Sequence, residues 1–147
     1  MDMKLEVLVL PVSDVDRAKA FYEQAGFRLD ADFNISEELR IVQLTPPGSE
    51  MSINFGTGLT DSAPGSVQNL HLTVTDIVAA QAELAGRGIP ISEVWHDADG
   101  LFHRPGTLNR VSGPSPTRAD YKSFASFEDP DGNGWFLQEI VTRAPGR

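Results

Sequence analysis

The chain has 147 residues, 40% of them apolar, a formal net charge of −9 and no cysteine. That is the size of one domain with enough apolar material for a core, and it excludes disulfides, thiolate metal sites and cysteine nucleophiles. The acidic balance argues against affinity for nucleic acid or anionic membrane, which need basic patches, and no apolar run reaches the roughly 18 residues of a membrane span.

The opening residues, Met1-Asp2-Met3-Lys4, lead directly into a strand-like pattern and read as neither a secretory signal nor a transit peptide, so a cytoplasmic location is expected. Asn34-Ile35-Ser36 fits the glycosylation triplet and is read as a chance match in a cytosolic chain.

In chain order, the β-rich run from Glu6 to Val12 is the first candidate strand. Ser13 is the expected helix cap, with Asp16 favouring the positive end of the helix. Val15, Ala18, Phe21, Tyr22 and Ala25 then follow helical spacing, and Gly26 closes the helix. Three candidate strands follow, at about residues 27–33, 39–44 and 51–55, with Pro46-Pro47-Gly48 as a turn between the last two. Residues 57–67, rich in Gly, Ser, Thr and Pro, read as a linker.

The pattern then starts again. Val12-Ser13-Asp14-Val15 reappears as Val74-Thr75-Asp76-Ile77, 62 residues on, and the same shift carries Ala18 to Ala80, Ala20 to Ala82 and Gly26 to Gly88. Residues 70–74 form a strand, Thr75 is the expected cap, and Ile77, Ala80, Gln81 and Leu84 keep helical spacing with one polar intruder. Strands are expected at about 91–95, 123–127 and 135–141, with Asp129-Pro130-Asp131-Gly132 as a hairpin turn. The second copy also carries a stretch at about residues 97–121, rich in Gly and Pro, which is expected to be irregular and to act as a lid.

Two segments carry a family resemblance. LPVSDVDRAKAFYEQAGFRL is similar to the opening module of vicinal oxygen chelate proteins, the glyoxalase, bleomycin-resistance and extradiol-dioxygenase group. SFASFEDPDGNGWFLQE resembles the closing hairpin of that group's second module. The resemblance implies an α+β fold: two βαβββ modules forming a curled mixed-sheet cup. The modules are expected at residues 1–57 and 66–147 of a single domain. It implies no single reaction, because the group includes lyases, isomerases, dioxygenases and antibiotic-binding proteins that do no chemistry.

In metal-dependent members a divalent ion sits on four side chains of the cup floor. The resemblance places these positions at Val7, Asn69, Phe136 and either Ser52 or Asn54. Carbon side chains cannot coordinate, and zinc, nickel or iron want imidazole and carboxylate. No metal and no cofactor are therefore expected. The expected function is binding of a small organic molecule in the cup; the alternative is an enzyme of the same group, with His71 in acid–base work or a relocated metal.

Strand alternation puts Val9, His71, Thr73 and Gln138 on the face of Val7, Asn69 and Phe136, with Ser52 and Asn54 joining them as ligand-binding candidates. His103, Arg104 and Tyr121 are the lid candidates, in an insert that also holds Phe102, Arg110 and Arg118. Glu139 is expected on the opposite face as a solvated carboxylate, and His96 and His103 as loop histidines whose spacing fits no regular metal site. Asp129 to Gly134 lacks the Glu that a calcium loop needs at its twelfth position. Small open sheets leave edges, so a homodimer is expected.

Overall fold

A computed structural model describes the whole chain, Met1–Arg147, as an α+β fold of two compact units. The first comprises residues 1–68 together with 128–133; the second comprises 69–127 with 134–147.

The first unit holds β1 (Val7–Val9), α1 (Val15–Gln24), β2 (Arg28–Asn34), β3 (Arg40–Thr45) and β4 (Ser52–Thr57). Its sheet runs β1-β4-β3-β2, with β1 parallel to β4 and the other pairs antiparallel. Leu10, Tyr22, Val42, Leu44, Ile53 and Phe55 are buried between this sheet and α1, and Tyr22 meets Phe27 and Phe55 at 5.2 and 5.8 Å between ring centroids. Between β3 and β4 the chain turns at Pro46-Pro47-Gly48, closed by the Ser49 N–H to the Pro46 carbonyl at 3.0 Å with Gly48 at φ +76°.

The second unit holds β5 (Leu70–Val74), α2 (Ile77–Gly86), β6 (Trp95–Asp97), β7 (Arg110–Ser112), β8 (Ser123–Glu128) and β9 (Gly134–Glu139), in sheet order β5-β9-β8-β6-β7. Glu128, the last residue of β8, counts with the first unit. Again the first strand, β5, lies parallel to the last, β9.

The 62-residue shift carries α1 onto α2 residue for residue. The caps also repeat, but one position later than expected. The side chains of Asp14 and Asp76, rather than Ser13 and Thr75, accept the N–H of Arg17 and Ala79 at 3.0 and 3.1 Å. The cap is the residue three before the first free N–H it can reach, and the helix starts at Val15 and Ile77, so the carboxylates fall in that place. Ser13 instead donates its hydroxyl to Asp131 at 2.5 Å. At the far ends, Gly26 (φ +98°) and Gly88 (φ +85°) reverse the chain, and the N–H of Phe27 and of Ile89 returns to the carbonyl of Tyr22 and of Leu84.

The insert is more regular than its composition suggested. β6 runs into it and pairs with β7, Asp97 opposite Arg110 and Trp95 opposite Ser112. The buried Asp97 carboxylate organises the bend between them, accepting from the Leu101 N–H, Arg104 Nε and Asn109 Nδ2 at 3.1, 3.0 and 2.8 Å. Of residues 91–95, expected as a strand, Ile91 makes only an isolated bridge to Phe127 and Trp95 alone falls in a strand, as the first residue of β6.

The turn at 129–133 completes the first unit. The buried Asp129 carboxylate accepts the Tyr22 hydroxyl and Asn133 Nδ2, both at 2.8 Å, and the N–H groups of Asp131 and Asn133. Asn133 Nδ2 also donates to the Pro11 carbonyl at 2.9 Å, and Asn133 Oδ1 accepts the Val67 N–H at 3.1 Å.

Candidate functional site

In the second unit, β9 is buried along its whole length. Trp135, Leu137 and Glu139 share the face toward α2, while Phe136 and Gln138 take the other. On that other face His71 stands opposite Phe136 and Thr73 opposite Gln138. Asn69 lies just outside β5 at φ +63°, so strand alternation does not extend to it. Its contribution is a backbone carbonyl, 2.9 Å from His71 Nδ1. A carbonyl only accepts, so Nδ1 carries the hydrogen, and in the neutral ring Nε2 presents a lone pair. Nε2 is buried and has no hydrogen-bond partner.

Around His71 the chain assembles an aromatic cluster. Phe102 from the insert stacks on its ring, 5.6 Å between centroids and 9° between planes. His103 lies 5.1 Å from His71 and stacks on Phe136 at 4.5 Å. Phe124 of β8 contacts Phe102, His103 and Phe136, and Trp95 of β6 stacks on Phe124 at 4.8 Å. The Arg110 guanidinium sits 3.8 Å from the Trp95 ring centroid, a cation–π contact across the β6–β7 diagonal. Arg110 Nε is also buried without a partner.

Burial first, then the neighbouring His71 and Arg110, hold His103 below the ordinary histidine value. Burial likewise lowers Arg110. Trp95 and Phe124 were not among the sequence candidates. The one available signal was the alternation of Phe124 and Ser126 along β8, but which strand lies beside β8 is a long-range fact that no local pattern carries.

The other lid candidates hold the insert in place. Arg104 is bound to Asp97 and Asp99 at 3.0 and 2.9 Å. Tyr121, at φ +70°, accepts Gln138 Nε2 on its carbonyl at 3.1 Å, and its hydroxyl accepts the Ala144 N–H. His96 lies in β6 with Nδ1 2.8 Å from the Gly113 carbonyl, and no group of three His, Asp or Glu side chains converges as a metal site.

Glu139 does lie on the opposite face, but it is buried rather than solvated. Arg118, at φ +51°, grips its carboxylate through Nε and Nη2 at 2.9 and 2.6 Å, and the Ile77 N–H at the start of α2 donates to it at 2.8 Å. These bonds, those of Arg118 first, hold its carboxyl below the usual glutamate value against the opposing effect of burial.

In the first unit, Val7 pairs with Ser52 and Val9 with Asn54, which puts these four candidates on one sheet face. Ser52 Oγ is 2.7 Å from the Thr45 hydroxyl, and Asn54 Oδ1 is buried without a partner. The two registers resolve a choice that sequence left open. Val9 is opposite Asn54 as His71 is opposite Phe136, and Val9 and His71 are 62 apart, so Asn54 is the counterpart of Phe136. The four positions implied for metal are thus Val7, Asn54, Asn69 and Phe136, two carbons and two neutral amides, a donor set that does not fit a catalytic divalent ion.

The family described as Glyoxalase/Bleomycin resistance protein/Dioxygenase superfamily matches residues 4–137. Among solved structures, TnmS3, an antibiotic binding protein from Streptomyces sp. CB03234, is 30% identical with a TM-score of 0.67, over 95% of this chain and 98% of that one. A glyoxalase/bleomycin resistance protein from the same Streptomyces is 31% identical with a TM-score of 0.65, over 92% of this chain and all of that one. A superfamily member from Sphaerobacter thermophilus DSM 20745, at 23% identity and a TM-score of 0.67, shares the fold. No curated protein matches the chain.

Proposed function

The chain belongs to the glyoxalase/bleomycin-resistance/dioxygenase superfamily, and from that premise we propose that it binds a small organic molecule with a planar aromatic part, without the metal of the superfamily's enzymes. The observation that carries this reading is the cluster of His71, Phe102, His103, Phe124, Phe136 and Trp95 on one face of the second sheet. An apolar, aromatic lining with few oriented polar groups is what small-molecule sites are made of. The similarity to an antibiotic binding protein supports the same reading.

Replacing Phe136 by leucine keeps the position apolar and removes the ring on which His103 stacks. It is expected to weaken binding of a naphthalene-sized aromatic about three- to tenfold, the worth of one ring contact. Calorimetric titration of the wild type and the variant checks this, with circular dichroism as the control for folding. Unchanged affinity would place the ligand elsewhere.

One observation favours the enzymatic alternative: His71 Nε2 presents a lone pair with no partner toward the cluster, which is what a general base needs. Native mass spectrometry on protein from its own host separates the two readings. A bound compound carried unchanged supports the binding protein; one converted on incubation supports the enzyme.

The working unit in this reading is a homodimer. Val9 and Phe33, 38% and 60% exposed, share one face of the first sheet with Asn54 and Ile41, and an apolar open face of this kind is the part of a small sheet that a second copy covers. Light scattering at micromolar concentration is expected to give twice the chain mass. A monomer would reject the dimer while leaving the binding reading intact.

A further inference from the structure

The chain carries 21 carboxylates against 12 basic side chains, and most of its arginines have found one. Arg17, Arg28, Arg40, Arg87, Arg104 and Arg118 each make an ion pair. Of the arginines before the last strand ends, Arg110 alone has no carboxylate. Asp97 stands opposite it in the β6–β7 register, yet that carboxylate is taken by Arg104, Asn109 and the Leu101 N–H. Arg110 instead lies over Trp95 with its Nε buried and unbonded.

The charged and titratable groups that meet this aromatic cluster are all of one kind. β5 supplies His71, the insert His103 and β7 Arg110, while β8 and β9 present Phe124 and Phe136. The two carboxylates that flank Arg110 on its own sheet are engaged elsewhere, Asp97 by Arg104 and Asn109 and Glu93 by the Ser112 hydroxyl. An unpaired half-buried guanidinium is costly in an acidic protein, where a partner was available at little evolutionary distance. It is tolerable where the missing anion arrives with a ligand.

We propose that the aromatic site is selective for an anionic ligand, a planar aromatic acid whose carboxylate or phenolate oxygen pairs with Arg110 while its ring packs on Phe102 and His103, which cover the buried Trp95, Phe124 and Phe136. His71 Nε2 is the second polar position, accepting from a hydroxyl on the same ligand. This rests on the proposed binding function and makes it specific: the charge of the site runs opposite to the charge of the chain, so the protein's net acidity does not predict a cationic ligand.

The test uses three probes of one shape, 2-naphthoate, 2-naphthamide and 2-(aminomethyl)naphthalene, titrated against the wild type and Arg110→Met at neutral pH by calorimetry. Naphthoate is expected to bind the wild type about tenfold tighter than the amide, the worth of one charge-assisted bond, and the ammonium probe weakest of all. Arg110→Met should bring naphthoate and amide to within about twofold of each other, and the naphthoate advantage in the wild type should shrink as salt rises. Equal affinities for the three probes, or preference for the ammonium, would overturn the charge assignment and leave the binding function standing. Failure of all three to bind would reject both. Should Arg110→Met not fold, the ranking on the wild type alone decides.

Discussion

Replacing Arg118 by alanine is expected to cost about 3–4 kcal/mol of stability, because it leaves the buried Glu139 carboxylate without its cation. Glu139→Gln should cost less, about 1–2 kcal/mol, since the amide oxygen still accepts the Ile77 N–H and the freed guanidinium, which is 44% exposed, recovers water. The order runs against a simple count of charges removed, because each substitution deletes one. What separates the two is which charge stays behind and whether water can reach it.

The acid dependence follows from the same pair. Arg118 holds the folded-state pKa of Glu139 below the ordinary 4.5. The contribution is therefore fully present above that value and is lost as pH falls through the lowered one. In Arg118→Ala burial pushes the carboxyl's pKa up against only the Ile77 N–H bond that remains, so stability should begin to fall at a higher pH than in the wild type. Urea unfolding of the wild type, Arg118→Ala and Glu139→Gln across the acid range checks both statements. Arg118→Ala no worse than Glu139→Gln would refute the account.

Asp129→Ala should be the most damaging single change, about 3–5 kcal/mol. It withdraws the acceptor for the fully buried Tyr22 hydroxyl, for Asn133 Nδ2 and for two turn N–H groups at once. Tyr22→Phe removes only one of those bonds and should cost about 1–2 kcal/mol. In a double-mutant cycle the second substitution should add little on top of the first, because the Tyr22–Asp129 bond it would delete is already gone. Strict additivity in urea unfolding would mean that the Tyr22–Asp129 bond contributes nothing.

Much of this fold is written in the sequence as a local pattern repeated at one interval. The helices, their closing glycines and seven of the nine strands follow from periodicity, turn residues and the 62-residue shift, all of which act over a few neighbouring residues. The caps were displaced by one because Ser-Asp and Thr-Asp each offer two acceptors in succession, and only the register of the first turn chooses between them. β7 was hidden among glycines and prolines because what makes it a strand is the Asp97 carboxylate, drawing on donors up to 12 residues away.

The site was legible in halves. Phe136 was placed by the family resemblance and His71 by alternation from a position the resemblance gave, whereas Trp95, Phe124 and the seating of Phe102 and Arg110 depend on which strands become neighbours. Glu139 shows the limit most plainly. Alternation gave its face correctly, but its burial depends on Arg118, which reaches it from a left-handed residue that nothing in an arginine's chemistry announces.

The placement of the 129–133 turn in the first unit also bears on the order in which the protein comes into being. Synthesis runs from the N-terminus, and a unit made of contiguous chain can settle while the rest is still being made. Here the Tyr22 hydroxyl, the Pro11 carbonyl and the Val67 N–H wait for partners at Asp129 and Asn133. The half of the protein that is translated first therefore waits for residues 129–133, from beyond most of the second unit, before its buried polar groups are satisfied.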